Sequence, residues 1–298
     1  MGRGKQMLNY EQFEWEFKKA LEKKYPEAKI IRQSRYKFNK IKRGFMIEGK
    51  GNVHPIVYTE DFYEVYQRFE EMDLVLDSID AAVECDKMNA YKDIVKDWNQ
   101  AKEYVYPYIV NMDKNQLCMD CQDYVYKERL DFAYSVYVEI ADDDGIACVN
   151  ISHELLRLWD VSEEEVFAIA EKNAKYSVKP MRQVIAELMG KEFSDEERIE
   201  NEAMYVVTNK TKNRGAAGIF DFDLLRKTAE ELDSDFYILP SSIHEVILVL
   251  EKEAPSMQKL KELVGDVNQC QVKEEEFLSE NVYFYSREEQ QVKIVEMD

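Results

Sequence analysis

The sequence predicts an α+β protein with a largely antiparallel sheet built from β-hairpin-plus-helix units, the helices packed on one face. One observation is the alternation of apolar and polar residues in Tyr134–Ile140, the pattern of a half-buried strand. A second is the return run Ile146–Ile151, which follows a turn ending in Gly145. A third is the helical spacing of apolar residues after such runs, as at residues 224–232.

An N-terminal helix and hairpin lobe precedes this sheet. Asn9 followed by Gln12 is a capping-box pattern that starts the first helix, and Pro26 ends it. The elements predicted after this helix are strands Ile30–Phe38, Phe45–Glu48 and Val53–Tyr58, helices Thr59–Phe69 and Leu74–Asn99, and a strand at Tyr104–Val110. The polar run Asp113–Asp123 is predicted to connect an N-terminal lobe (1–112) to a C-terminal domain (124–298), with a single domain as the alternative.

The central stretch is Met204–Leu250, for which we predict the order strand, strand, helix, strand, strand. Its second strand is expected at Ala216–Phe220, and Asp221 is expected to cap the helix that follows. This stretch supplies the second of three similar units, the third of which begins at Phe236 and ends in a helix capped by Ser256. We expect the three units to merge into one sheet from about residue 130 onward.

The charge is strongly acidic and unevenly distributed. The net charge is −20, and residues 1–50 carry +8, which leaves −28 for the remainder. General binding to nucleic acid or to anionic membranes needs positive surface, so the composition argues against both. The basic end is expected to be a solvated helix and hairpin.

The sequence also predicts a cytoplasmic location. No apolar stretch approaches the roughly 20 residues that span a bilayer, and the N-terminus lacks the apolar core of a signal peptide. The five cysteines are odd in number and scattered, which favours a reducing compartment over a disulfide framework.

Several segments carry a family resemblance. They are Pro55–Tyr58 with Phe62–Glu64, VNISHELLRLWDV at 149–161, Met204–Asn209, and FYILPSSIHEVILV at 236–249. These segments resemble the bacterial family called domain of unknown function 5688, over roughly residues 30–285. The resemblance implies a cytosolic bacterial protein of mixed α and β structure, and it brings no catalytic residues with it.

Ser242 and His244, with His153, are the candidate catalytic residues of a hydrolase. Such an enzyme needs a nucleophile, a base within hydrogen-bond reach and an orienting carboxylate. Neighbouring residues of a regular strand point to opposite faces, so His244 and Glu245 cannot aim at one site. We therefore interpret Ser242 as a turn residue that satisfies backbone groups and His244 as a polar strand end, with catalysis as the alternative.

Cys118 and Cys121 form a CxxC pair that we interpret as coincidental. Zinc needs about four ligands, and the sequence offers no second pair nearby. A thioredoxin-like pair would open a helix after a strand, whereas a polar loop is predicted here. The run Asp142–Gly145 lacks the spacing of a calcium loop and is predicted to be a hairpin turn. We therefore expect neither a metal site nor a cofactor.

Lys210, Lys212 and Arg214 form a basic loop ahead of Gly215 and Gly218. Backbone N–H groups in such a loop could hold an anion. The loop lacks the Lys-Ser/Thr ending of a P-loop, so a solvated turn is the preferred interpretation and anion binding the alternative.

Without a coherent catalytic, metal or nucleotide motif, the sequence predicts a non-catalytic protein-interaction module. The acidic body with a basic end indicates a charged protein partner, and we expect no direct contact with nucleic acid or membrane. Two alternatives stay open. One is an acidic mimic of nucleic acid that acts on a DNA-binding or defence protein, and the other is the hydrolase that uses Ser242 and His244.

Overall fold

The chain has a mixed α and β fold divided into two compact units. The computed structural model describes residues 7–49, 54–83, 86–142, 145–191 and 202–296. The two units comprise residues 1–93 and 94–298. The strands of each unit pair in open antiparallel sheets, and the predicted α+β class is confirmed.

The first unit is a three-stranded sheet with helices. Its elements are α1 (Tyr10–Lys24), β1 (Lys29–Lys37), β2 (Lys40–Glu48), β3 (Ile56–Tyr58), α2 (Thr59–Phe69), α3 (Met72–Val83) and α4 (Asp86–Lys96), the last of which contains the division between units. The sheet order is β1-β2-β3. β1 and β2 form a hairpin with a two-residue turn, in which Lys37 pairs with Lys40 and Asn39 takes a left-handed φ of 63°.

Aromatic side chains form the core of the first unit. Phe13, Phe17 and Leu21 recur at helical spacing on α1 and are fully buried. They cluster with Phe45 and Ile47, which lie two residues apart on β2 and therefore face the same side of the sheet. This face of the sheet is covered by helices.

The second unit begins earlier in the chain than the predicted C-terminal domain. Its elements are α5 (Trp98–Ala101), β4 (Val105–Asn111), α6 (Met112–Cys121), β5 (Tyr126–Arg129), β6 (Phe132–Asp142), β7 (Gly145–Asn150), α7 (His153–Trp159), α8 (Glu163–Asn173), β8 (Tyr176–Pro180), α9 (Met181–Leu188), β9 (Met204–Asn209), α10 (Phe222–Glu231), β10 (Phe236–Ser242), β11 (Glu245–Leu250), α11 (Met257–Cys270), β12 (Tyr283–Ser286) and β13 (Gln291–Ile294). β4 pairs with β6 along its whole length, and residues 94–112 belong to this unit. Independent folding of two domains stays a prediction.

The strands of the second unit form two sheets, and the expected single sheet is wrong. In one sheet β6 pairs with β4, β5 and β7. The other has the order β13-β12-β10-β11-β9-β8. The expected hairpins are present at β6–β7 and β10–β11; in the first, Asp142 pairs with Gly145, and residues 143–144 of the predicted turn lie outside the described residues.

The predicted strand Ala216–Phe220 is wrong, because this run lies within a 3-10 helix, Gly215–Phe220. A Cβ on Gly218 would lie 2.8 Å from Cγ1 of Val207 and 3.1 Å from the Tyr176 ring. The short side chains of the run therefore allow the backbone to pack closely against the sheet. Asp221 ends the 3-10 helix and caps α10 as predicted, with Oδ1 accepting the N–H of Leu224.

Two further expectations fail, one at Asp113–Asp123 and one at β6. The predicted polar connection at Asp113–Asp123 is α6, a helix capped by Asn111, whose side chain accepts the N–H of Lys114. β6 is buried on both faces and not on one, since Ser135, Tyr137 and Glu139 are as buried as their apolar neighbours.

No helix in the described ranges is long and apolar enough to traverse a bilayer.

Candidate functional site

Ser242 and His244 lie at the turn between β10 and β11, where a β-bulge disturbs the register. The backbone N–H of His244 donates to Ser242 Oγ at 3.1 Å, which is the turn role that the sequence suggested. Among the contacts of the described residues, none joins Ser242 Oγ to the imidazole. The geometry thus adds no support to the hydrolase alternative, which stays untested.

The imidazole of His244 holds the neighbouring loop. Its Nδ1 accepts the backbone N–H of Arg214 at 3.1 Å, and its Nε2 lies 3.9 Å from Oε1 of Glu276. Burial lowers the pKa of His244, Glu276 opposes this effect and the Arg214 charge adds to it. A neutral imidazole with an unprotonated Nδ1 is the form that this contact requires.

His153 occupies a different environment, at the start of α7. Its Nδ1 lies 2.9 Å from Oδ1 of Asp123 and its Nε2 lies 3.2 Å from Oε1 of Glu163. Burial lowers the pKa of His153, but hydrogen bonds and charge from Asp123 and Glu163 outweigh it, so the pKa is raised. His153 and His244 share no contact partner in the described part of the chain.

The CxxC pair lies at the end of a helix. Cys118 is buried in α6, and Cys121 is its exposed last residue. The helix dipole favours a thiolate at the N-terminus and not at the C-terminal end, so this position does not activate the pair. Within the described residues, no group of three or more His, Cys, Asp or Glu side chains is arranged to hold a metal ion.

The basic loop gives its three cations different surroundings. Lys212 Nζ lies 3.7 Å from Oε2 of Glu187, and Arg214 Nη1 donates to Oδ1 of Asn150 at 2.6 Å. Lys210 and Lys212 line a cavity of about 360 Å³ whose other charged residues are Lys175, Lys179, Glu187 and Glu245. Anion binding at this loop stays a prediction, and Arg214 does not line the cavity.

Arg214 has a left-handed backbone and a guanidinium set over two aromatic rings. Its φ is 54°, and its Cζ lies 4.7 Å from the ring centroid of Tyr108 and 4.5 Å from that of Tyr137. Both rings belong to the four-stranded sheet, so cation–π attraction fastens the loop to that sheet.

Glu139 is a carboxylate buried in β6, with 5% of its surface exposed. Its Oε2 accepts the hydroxyl of Tyr137 and the side-chain amide of Asn213, each at 2.7 Å. Burial raises the pKa of Tyr137, and the Glu139 charge adds to the increase. Because a buried carboxylate is costly without such donors, Glu139 fixes the position of the loop at Asn213.

A cleft with a volume of about 780 Å³ lies in the second unit. Its aromatic lining comes from four residues of β6, β8, the 3-10 helix and α10: Tyr134, Tyr176, Phe220 and Phe222. Arg129 Nη2 and the Tyr134 hydroxyl both donate to Oε1 of Glu171, each at 3.2 Å. The volume lies within the range of small-molecule sites.

The sequence patterns do not predict this cleft or the Glu139 cluster. Arg129 and Glu171 are 42 residues apart, and Glu139 and Asn213 are 74 apart, so no local spacing connects them. One signal was available: Glu139 interrupts an apolar strand, and a charged residue in that position needs a partner.

Two compact units with antiparallel sheets define an α+β protein, and the cleft lies in the second unit. The chain belongs to the family of unknown function DUF5688, whose model matches residues 10–287. Comparisons with curated proteins and with solved structures found no match.

Proposed function

We propose that the chain is a non-catalytic protein-interaction module whose first unit binds an acidic partner protein through one face of the β1–β2 hairpin. The observation that carries the proposal is that two pairs of positively charged residues lie opposite each other across β1 and β2. Arg35 lies directly opposite Lys42, and Lys37 lies directly opposite Lys40. Like charges opposite each other across two strands destabilise a sheet, so this arrangement is costly unless a counter-charge offsets it.

Carboxylates of the described residues pair with Lys40 and Lys42. Lys42 Nζ lies 2.9 Å from Oδ1 of Asp61, and Lys40 Nζ lies 3.8 Å from Oε2 of Glu60. Arg35 and Lys37 are exposed, and no carboxylate of the described residues pairs with either. These two cations are therefore available to an acidic surface.

The face that carries them lies opposite the helical core. Residues directly across an antiparallel pair share a face, so Arg35, Lys37, Lys40 and Lys42 lie on the side away from Phe45. Tyr58 of β3 joins this face, with the ammonium groups of Lys37 and Lys42 at 5.1 and 5.6 Å from its ring centroid. Tyrosine and arginine are enriched at protein interfaces, and this face carries Tyr58 and Arg35.

The charge of the whole chain favours a protein over nucleic acid as the partner. β1 and β2 together hold seven Lys or Arg and one Glu, whereas the chain carries −20. A long phosphate backbone would be repelled by the remaining acidic surface, but a compact acidic patch can contact the hairpin alone.

The test compares capture by the wild-type chain and by the variant Arg35→Glu/Lys37→Glu from nuclease-treated lysate of the source cells. We expect the variant to lose an acidic protein that the wild type retains. The matched control is Lys227→Glu/Lys259→Glu, which changes net charge equally at two exposed residues of the second unit, and it should retain that protein.

Equal capture by all three proteins would show that the hairpin is not the interface. An electrophoretic shift of duplex DNA or RNA that only the Arg35/Lys37 variant loses would identify nucleic acid as the partner and overturn the proposal.

A further inference from the structure

The lining of the 780 Å³ cleft in the second unit indicates which class of ligand would fit it. This inference does not depend on the β1–β2 hairpin. We propose that the cleft binds a small organic cation with an ammonium or guanidinium group, held by aromatic rings and carboxylates. Four features of the lining support this class of ligand. They are its aromatic rings, the Arg129 guanidinium that lies against two of them, the excess of carboxylates over cations, and the Tyr176 hydroxyl, which has no hydrogen-bond partner among the described residues.

The cleft already places one cation against its rings. The Arg129 guanidinium carbon lies 4.0 Å from the ring centroid of Tyr134 and 5.4 Å from that of Phe220. Electron-rich ring faces attract cations at these distances. Phe222 and Tyr176 also line the cleft, and their rings add aromatic surface for a second cation.

The charged side chains that line the cleft are three carboxylates and one guanidinium: Glu171, Asp221, Asp223 and Arg129. Asp223 also lies 3.6 Å from Arg226. Glu171 uses Oε1 for Arg129 and Tyr134, and Asp221 uses Oδ1 for the N–H of Leu224. The second oxygen of both carboxylates has no partner among the described residues, so the lining has spare acceptors and a negative balance.

Tyr176 adds a polar group to the lining. Its side chain lines the cleft and packs against Gly218, and its hydroxyl makes no hydrogen bond within the described ranges. Burial raises the pKa of this phenol well above its usual value, so the hydroxyl stays protonated at neutral pH. It can accept a hydrogen bond from an ammonium group while its ring supplies a cation–π surface.

The volume sets the size of the ligand. Pockets of roughly 300–1,000 Å³ hold drug-sized molecules. An alkylammonium, a choline-like quaternary ion and a lysine side chain of a peptide are each small enough to enter a cleft of this volume. They share one chemistry, so the experiment has to distinguish a free cation from a peptide side chain.

The test is calorimetric titration of the full chain with choline, with 1,5-diaminopentane and with a blocked tripeptide that has a central lysine. The neutral isostere 3,3-dimethyl-1-butanol tests the need for charge. We expect at least one cationic probe to bind at millimolar concentrations or below, and the neutral alcohol to bind at least about tenfold more weakly. Binding by the free amines identifies a small molecule, and binding by the tripeptide alone identifies a peptide side chain.

Variants connect this binding to the cleft. Glu171→Gln removes a negative charge with little change of shape and should weaken the best probe about tenfold. Tyr176→Phe removes only the unpaired hydroxyl, so the fold is retained, and it should weaken binding about fivefold. The matched control is Glu262→Gln, at an exposed residue of α11 that does not line the cleft, and it should bind as the wild type does.

Three results would overturn the proposal. They are no binding by any cationic probe, equal binding of choline and its neutral isostere, and unchanged affinity in both cleft variants.

Discussion

The hydroxyl of Tyr283 donates a hydrogen bond of 2.6 Å to Oδ1 of Asp131, 152 residues earlier in the chain. The other carboxylate oxygen of Asp131 accepts Ser279 Oγ at 2.7 Å and Asn281 Nδ2 at 3.0 Å. Asp131 belongs to the β5–β6 turn, whereas Tyr283 opens β12. One side chain therefore ties the four-stranded sheet to the six-stranded sheet.

Replacing Asp131 should destabilise the second unit. Asp131→Ala removes the acceptor of three donors, and the hydroxyls of Ser279 and Tyr283 are buried. Because buried donors without acceptors are costly, we expect a loss of about 3 kcal/mol in the free energy of unfolding. Tyr283→Phe, which removes one donor, should cost about 1 kcal/mol. Urea denaturation followed by circular dichroism measures both values.

Asp266→Ala is the control for that measurement. Asp266 is an exposed residue of α11, and its replacement should leave stability within about 0.5 kcal/mol of the wild type. A similar loss in the Asp131 and Asp266 variants would contradict the role given to Asp131.

Two glycines give opposite predictions for one substitution. A Cβ on Gly44 would overlap the carbonyl oxygen of Val57 in the neighbouring strand β3, so Gly44→Ala should force β2 and β3 apart and cost about 3 kcal/mol. A Cβ on Gly265 would meet nothing within 4 Å. Because Gly265 lies inside α11, Gly265→Ala should stabilise by about 1 kcal/mol through helix propensity. Scanning calorimetry of both variants checks the contrast, and a stabilising Gly44→Ala would show that the strands can separate freely.

Acid should destabilise the fold through His244. Its pKa is lowered in the folded state from 6.5, so the unfolded chain takes up the proton first as the pH falls. Stability contributed at neutral pH is therefore lost as the pH falls below about 6.5 and through the folded pKa. Protonation also removes the Nδ1 acceptor of the Arg214 N–H. Unfolding free energies measured between pH 7.5 and 5 should show this decrease, and His244→Asn, which keeps an acceptor and cannot titrate, should flatten it.

His153 acts in the opposite direction. Its pKa is raised by Asp123 and Glu163 against the effect of burial, so its contribution is present below the unfolded pKa and is lost as the pH rises through the folded pKa. Its side chain is 37% exposed, and solvent screening keeps the effect small. A His153→Gln variant that abolished the acid destabilisation would show that the assignment to His244 is wrong.

Arg214 should not tolerate lysine. The guanidinium is planar, lies over Tyr108 and Tyr137 and donates to Asn150, and an ammonium group cannot reproduce the stacking. We expect Arg214→Lys to cost about 1–2 kcal/mol and to increase hydrogen exchange at residues 209–214. Lys210→Arg, in the same loop, is the control and should leave both measurements unchanged.

Local chemistry made several helix starts predictable. Asn9 and Gln12 exchange the expected pair of hydrogen bonds, at 2.9 and 3.1 Å, because a capping box needs only residues three apart. Asp221 caps α10 for the same reason. Such signals depend only on a few neighbouring residues, so they predict helix starts whatever the tertiary structure is.

The failures share a dependence on distant partners. The alternation in β6 predicts one solvated face, but the loop that carries Asn213 and Arg214 covers that face from more than 70 residues away. The run at Ala216–Phe220 is short and apolar, and periodicity alone does not separate a strand from a buried helix of that length. The cleft is assembled from five separate parts of the chain, so no sequence window contains it.

The sequence separation between Asp131 and Tyr283 also bears on the order of folding. The β1–β2 hairpin closes through a two-residue turn, and such local elements form on a microsecond timescale. The Asp131 contacts must close a loop of about 150 residues before they yield any stabilisation, and non-local contacts of this kind slow folding. We therefore expect Asp131 to have a φ-value near zero and the junction of the two sheets to form after the folding transition state.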